Sequence, residues 1–114
     1  MPTREIPSPQ WPSFLGKFGF RHFGWNVRLE QKSRGRGKLL AAGHSFLEEL
    51  TTNVAEGQQQ IAIVLGTPFQ PVHTHVIDNP LHVRVVAGAQ PALEIDSADG
   101  STVVVHLRRR DRSD

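Results

Sequence analysis

The chain has 114 residues and no cysteine, which excludes disulfides, thiolate nucleophiles and cysteine-based zinc sites. Its length suits one domain with a modest core, and 38% hydrophobic and 21% charged residues are typical of a globular protein. The formal net charge of +2 is small. No run approaches the ~18 apolar residues of a membrane span, and the first residues lack the apolar core of a secretory signal, so the expected location is cytoplasmic, without membrane contact.

The N-terminal part is predicted to contain an arm, a helix and a strand. Prolines at positions 2, 7 and 9 are incompatible with a helix, so residues 1–10 are expected to be an extended arm. Pro12 suits a first helical turn and apolar side chains recur at helical spacing, which predicts a short amphipathic helix over residues 11–22. Gly24 is placed to end this helix in the left-handed conformation, and residues 25–30 alternate as a strand.

Two basic clusters follow, one in a glycine-containing segment expected to be a loop and one near the C-terminus. Residues 11–108 are predicted to form the globular domain, and residues 109–114 a flexible basic tail. Neither cluster is interleaved with aromatic residues, as single-strand nucleic-acid binders usually are. The clusters are interpreted either as solvated charge or as weak, sequence-nonspecific nucleic-acid contacts made by Lys32, Arg34, Arg36, Lys38, Arg108, Arg109, Arg110 and Arg112.

Residues 39–54 fit two secondary structures. Apolar residues at positions 46, 47, 50 and 54 match a helical stripe, and Ser45 with Glu48 resembles a capping box. A strand would place Glu48 on the same face as Phe46 and Leu50. The local pattern therefore favours a helix, and the strand alternative stays open at this point.

The C-terminal half is predicted to consist of strands. Residues 60–65, 72–77 and 81–86 give three, the last two separated by the turn residues 78–80. The sharpest pattern is a hairpin over residues 91–107, whose three-residue loop of Ala98, Asp99 and Gly100 needs glycine in the left-handed region. This register places Ile95 opposite Val103, whereas a two-residue loop would mix polar and apolar faces.

Residues spread over nearly the whole chain resemble a known bacterial family. They are Arg4-Glu5-Ile6-Pro7, Trp11, Phe14, Leu15, Phe18, Arg21, His22, Gly24, Trp25, Ile61-Ala62-Ile63-Val64-Leu65-Gly66, His75-Val76, Asn79-Pro80, Val83 and residues 92–100. This set resembles the family called domain of unknown function 5335. The resemblance implies a small, mostly β domain with strand across residues 39–54, and we favour strand there because tertiary context overrides local propensity. It implies no activity.

One group of residues has the composition of a metal site. Alternation places His73 and His75 on one face of a strand, with Asp78 and His82 around the next turn. Two histidines and a carboxylate can bind zinc or ferrous iron, and Gly66 gives the stretch a faint likeness to the first metal motif of a cupin. The spacing from Gly66 is one residue too long, and no second motif follows. The alternative is that the histidines bond to neighbouring backbone or carboxylate groups, so no cofactor is predicted.

The sequence contains no P-loop, dinucleotide-binding fingerprint or Gly-x-Ser-x-Gly motif, so no catalytic residue is predicted and an enzyme is not favoured. The predicted fold is mostly β (α+β), with a short N-terminal helix packed on a bent antiparallel sheet of five to six strands or on a partly open small barrel. The expected function is that of a small non-catalytic binding or interaction module, with a second copy bound through a sheet edge as one partner.

Overall fold

One helix and nine strands make up the part of the chain that the computed structural model describes, residues 3–33, 36–41, 45–67 and 73–109. The helix, α1, spans Trp11–Arg21 after a single 3-10 turn at Ser8–Gln10. The strands are β1 Thr3–Ile6, β2 Asn26–Ser33, β3 Arg36–Ala41, β4 Phe46–Ala55, β5 Gln58–Gly66, β6 His73–Asp78, β7 Pro80–Val86, β8 Ala92–Ser97 and β9 Ser101–Arg108. The prediction of strand over residues 39–54 is thus confirmed where the chain is described.

All nine strands belong to one open antiparallel sheet with the order β1-β7-β8-β9-β2-β4-β5-β6. The strand β3 pairs with β2 from Leu29 to Ser33, whereas β4 meets β2 only where Phe46 faces Asn26. The terminal strands of the order are β1 and β6. The predicted mostly β fold with a helix packed on an antiparallel sheet is confirmed, but the sheet has nine strands and is not closed into a barrel.

The N-terminal arm is one source of the additional strands. Residues 3–6 are extended, as predicted, but they pair with β7, with Thr3 opposite Val86 and Ile6 opposite Val83. Ile6 is 1% exposed, and its carbonyl oxygen accepts a hydrogen bond of 2.8 Å from Trp11 Nε1. Thus the expectation that residues 1–10 lie outside the globular domain fails for this segment, because Ile6 is a core residue.

The predicted basic loop is also a strand segment. Lys32 lies on β2, and Arg36 and Lys38 lie on β3, where Lys32 faces Gly37 and Ser33 faces Arg36. The two strands form a hairpin whose connecting residues, Arg34 and Gly35, lie outside the described residues. Strand pairing explains the difference, since backbone hydrogen bonds to β2 order a segment whose side chains are all polar or small.

The core lies on one side of the sheet, called here the inner face; the opposite side is the outer face. Alternate residues of each strand point inward, and α1 adds side chains from its apolar stripe. Ile95 and Val103, which the hairpin pattern places opposite each other, belong to this core, and so do Ile6, Leu47, Leu50 and Ile77. Among the described residues, no helix is long and apolar enough to cross a membrane.

The hairpin of β8 and β9 has the predicted register. Ile95 faces Val103 and Leu93 faces Val105, and the amide of Leu107 donates to the carbonyl of Pro91 over 3.0 Å. Gly100 has φ of +91°, in the left-handed region. The loop is further fixed by Asp99, whose Oδ1 accepts bonds from the amide and hydroxyl of Ser101. These bonds lower the pKa of Asp99.

Candidate functional site

The outer face of β7, β8 and β9 carries an ordered polar network. Arg84 on β7 donates two hydrogen bonds of 2.8 and 2.9 Å to the carboxylate of Asp96 on β8 and one of 3.2 Å to Glu94. Thr102 on β9 donates to Asp96 over 2.6 Å. The hydrogen bonds from Arg84, with smaller contributions from Thr102, lower the pKa of Asp96. Because these groups satisfy one another, the network is structural in character.

A second polar pair lies on β2 and β9, two strands that the sequence separates widely. His106 Nε2 lies 3.2 Å from Glu30 Oε1, a contact that needs a proton on Nε2. The hydrogen bond from His106 is the main cause that lowers the pKa of Glu30, with Lys32 and Arg28 adding attraction. Glu30 is therefore ionised at neutral pH and holds one side of the imidazole.

Beside this pair the structure contains an open cleft of about 440 Å³. Arg28, His106 and Arg108 line it together with the carboxamides of Asn26 and Gln90. The register explains the grouping, because Arg28 faces His106 and Asn26 faces Arg108 on the same face of β2 and β9. Val27 and Leu107 also border the cleft, but their side chains are buried in the core on the inner face. This cleft combines positive charge with amide groups.

The structure separates the two basic clusters predicted to contact nucleic acid. Lys32 lies on the outer face of the β2–β3 hairpin, whereas Arg36 and Lys38 lie on its other face and line an open cavity of about 740 Å³ with Gln31 and Ser33. Arg108 and Arg109 are exposed at the far end of β2, about 23 Å away by strand rise. The remaining predicted contacts, Arg34, Arg110 and Arg112, lie outside the described residues.

The four predicted metal ligands do not converge. His73 and His75 share the inner face of β6, as alternation predicts, opposite Leu65 and Ile63 of β5. Burial lowers the pKa of His75, and the neighbouring His73 lowers it further, so His75 is neutral at neutral pH. Asp78 lies on the outer face of β6 and accepts a bond of 2.7 Å from Gln60.

His82, the fourth predicted ligand, lies on β7 with its Nδ1 2.8 Å from Glu5 Oε2. The four residues thus lie on opposite faces of β6 and on β7, and five strands separate β6 from β7 in the order of the sheet. Among the described residues, no three histidine, aspartate or glutamate side chains are grouped so that they could hold a metal ion. The cupin-like spacing therefore corresponds to no metal-binding arrangement in the described structure.

A different feature of β6 is its unpaired backbone edge. Within the part of the chain that the structure describes, the strand pairs only with β5, from Leu65 opposite His73 to Gln60 opposite Asp78, without a bulge. Val76, on its outer face, is 47% exposed. A small groove of about 130 Å³, lined by residues of both faces of β6, separates this strand from Gln31 and the loop end of the β8–β9 hairpin. Among the described residues, β6 therefore ends the sheet without a neighbour on one side.

Sequence reasoning missed the cleft because two of its polar side chains come from strands whose pairing is nonlocal. Arg28 alternates outward on a recognisable strand, and His106 alternates outward on another, but only the pairing of β2 with β9 brings them together. Arg108 belongs to the predicted basic cluster near the C-terminus. The alternation of both strands does predict that Arg28 and His106 point outward. It does not predict the register that places them opposite each other.

No family model, no curated protein and no solved structure matches this chain. The resemblance to the domain of unknown function and the cytoplasmic location therefore stay predictions, as does nucleic-acid binding by the basic clusters. A proposal about function rests on the geometry of the cleft and of the β6 edge.

Proposed function

We propose that the protein is a non-catalytic interaction module that associates with a second copy of itself through the free edge of β6. The observation that supports this proposal is that the described residues of this edge include no lysine, proline or bulge, features that normally hinder the pairing of strands between molecules. Natural sheets protect edges with lysine, proline, bulges or very short strands. β6 has six residues, His73–Asp78, with neither lysine nor proline among them and a regular register.

The other unpaired edges differ in this respect. β1 has four residues, two of them the charged Arg4 and Glu5, and Pro7 follows immediately. β3 carries Arg36 and Lys38, which repel the same residues of a second copy. By comparison, the middle of β6 has only the neutral His75 and the partly exposed Val76. Among the described edges, β6 is therefore the one best suited to strand pairing.

The backbone directions of β6 also support self-pairing. The amide of Asn79 donates to the carbonyl of Gln59 over 3.0 Å, and β6 continues this antiparallel ladder with β5. Because hydrogen-bonded pairs alternate along such a ladder, the N–H and C=O groups of Thr74, Val76 and Asp78 point away from β5. A two-fold axis at Val76 would pair Val76 with Val76 and Thr74 with Asp78. This arrangement keeps the inner faces of both copies on one side and covers the exposed valines.

The test is the molar mass in solution as a function of protein concentration, measured by light scattering. The parent chain should reach twice the monomer mass as concentration rises, whereas Val76→Lys should remain monomeric, because two ammonium groups would meet at the two-fold axis. Val54→Lys is the matched control, since Val54 is 67% exposed on β4 and is not on the β6 edge.

The control should dimerise like the parent. A parent that remains monomeric up to about millimolar concentration would refute the proposal, because a specific edge pairing should be measurable in that range. Dimerisation that Val76→Lys leaves intact would place the interface elsewhere and would refute it equally. Unchanged far-ultraviolet circular dichroism of both variants verifies that they are folded.

A further inference from the structure

We propose that the cleft on the outer face of the paired strands β2 and β9 is a binding site for a small organic phosphate, held by Arg28 and Arg108. This inference is independent of the pairing of β6, because no residue of β6 lines the cleft. The cleft volume of about 440 Å³ lies within the range of small-ligand sites, about 300 to 1,000 Å³. A mononucleotide-sized ligand would fit a space of this size.

The two arginines are the strongest reason for an anionic ligand. Among the described residues, neither Arg28 nor Arg108 has a carboxylate within ion-pair distance, and both side chains are exposed. Arg84, by contrast, is saturated by Asp96 and Glu94. Guanidinium groups form paired hydrogen bonds with phosphate oxygens, so two such unpaired groups lining one cleft match this ligand chemistry.

The distribution of charge in the cleft favours one compact anionic group over a long polyanion. Glu30 contributes a negative charge nearby, but it is bonded to His106 and lies on the side of that imidazole. Two guanidinium groups against one engaged carboxylate leave the cleft positive. A compact phosphate can approach Arg28 and Arg108 while avoiding Glu30, whereas a long polyanion passing along β2 would meet this carboxylate.

The remaining lining indicates that the phosphate carries an organic part. The carboxamides of Asn26 and Gln90 can both donate and accept hydrogen bonds. The cleft volume of about 440 Å³ also exceeds what a free phosphate would fill. A nucleoside or sugar attached to the phosphate would occupy the remaining volume and contact the two carboxamides, and such placed polar groups are typical of a small-molecule site.

Isothermal titration calorimetry with three probes tests this assignment: adenosine monophosphate, inorganic phosphate and a single-stranded oligonucleotide. Adenosine monophosphate should bind the parent. The double variant Arg28→Gln with Arg108→Gln should bind it at least about tenfold more weakly, because the loss of each charge-assisted hydrogen-bonded pair lowers affinity by about that factor. The matched control is Arg36→Gln with Lys38→Gln, which removes the same charge from the opposite end of β2. Its affinity should stay within about twofold of the parent.

Four outcomes would overturn the proposal. The first is no measurable heat with adenosine monophosphate at about 10 mM, beyond the weakest affinity expected for such a site. The second is an equal loss of affinity for adenosine monophosphate in the control variant, which would indicate diffuse electrostatic attraction. The third is phosphate binding as tight as that of the mononucleotide, which would exclude any contribution of the organic part to binding. The fourth is much tighter oligonucleotide binding that needs both arginine pairs, which would identify a nucleic-acid surface.

The Val76→Lys variant separates this site from the proposed interaction function. It should bind adenosine monophosphate like the parent, because Val76 lies on β6 and does not line the cleft. Conversely, the Arg28 and Arg108 variants should retain the parent's molar mass. Failure of one proposal is thus visible without failure of the other.

Discussion

At the scale of single residues, Asp96 is the carboxylate that joins the polar network of β7, β8 and β9. Its carboxylate accepts bonds from Arg84 and Thr102, and both members of the Arg84–Asp96 pair are only about a quarter exposed, at 27% and 25%. Partly buried, bidentate pairs of this kind contribute more than surface ion pairs, since less of their attraction is screened by water. Removal of the Asp96 carboxylate leaves the partly desolvated guanidinium of Arg84 without its main partner.

Asp96→Asn should lower the free energy of unfolding by about 1 to 3 kcal/mol at neutral pH. The pKa of Asp96 is lower in the folded state than in the unfolded chain, so its stabilisation is present above the unfolded pKa of ~3.9 and disappears as pH falls through the folded value. The difference between parent and variant should therefore shrink below about pH 4. Urea denaturation at several pH values measures it.

The control for this prediction is Asp78→Asn. Asp78 is an exposed carboxyl that accepts a single bond from Gln60, so its substitution should change stability by less than about 0.5 kcal/mol at any pH. If both variants lose the same stability, or if the loss in Asp96→Asn is independent of pH, the network of Arg84 does not have the assigned role.

Gly100 offers a second test at this scale. A Cβ built there would meet no atom within 4 Å, so the only cost of a side chain is its φ of +91°. Gly100→Val should therefore destabilise the protein by about 1 to 2 kcal/mol or more. Gly16→Ala is the control, because Gly16 has equally open space within α1 and should gain about 0.5 to 1 kcal/mol of stability. A denaturation midpoint of Gly100→Val equal to the parent's would show that the loop is misassigned.

Gly100 also shows what the sequence predicts well. Its loop, the register of β8 with β9 and the outward and inward faces of both strands follow from a local pattern of alternation and turn residues. All the information lies within residues 91–107. Gly24, with φ of +82°, likewise adopts the left-handed conformation that a local pattern predicts after α1. Local signals of this type need no knowledge of distant strands.

At the scale of elements, β4 shows why a local pattern can mislead. Leu47 and Leu50 are three residues apart and both are buried, which is a helical spacing. A bulge between Leu47 and Glu49 adds Glu48 to the strand, so Leu47 and Leu50 both point inward, opposite Leu65 and Ile63. The predicted capping glutamate is the extra residue of the bulge.

The neighbouring strand makes room for this bulge. Gly66 faces Phe46, and a Cβ at Gly66 would contact the carboxylate of Glu48 and the ring of Phe46. Gly19 of α1 is similar, because a Cβ there would lie 3.1 Å from the backbone nitrogen of Leu50. Both glycines allow close approach of elements to β4. The strand is therefore specified by its neighbours and not by its own propensity.

At the scale of the whole molecule, the order of the sheet decides which residues meet. The outer face joins His82 to Glu5 and His106 to Glu30 across more than seventy positions of sequence. The cleft depends on the register of β2 with β9, and the separation of the metal-ligand candidates depends on β6 and β7 belonging to different parts of the sheet. Periodicity predicts which face a residue occupies, but it contains no information about which strand lies beside it.

The same limit applies to the proposed function. The residues of β6 have an ordinary strand pattern, and only its position at the end of the sheet leaves its edge unpaired in the described structure. The sequence predicted self-association through some edge, without indicating which one. The lack of lysine, proline and bulges on β6 becomes informative once the topology is known.

Amide hydrogen exchange of Val76 at low and high protein concentration tests the central claim most directly, because it reports on the backbone group assigned to the interface. The amides of Thr74 and Val76 should exchange rapidly in the monomer and become protected as the concentration rises, while those of His75 and Ile77, which point toward β5, should be protected throughout. Val76→Lys should abolish the concentration dependence at Thr74. Exchange at Thr74 and Val76 that is equally fast at every concentration would contradict the account.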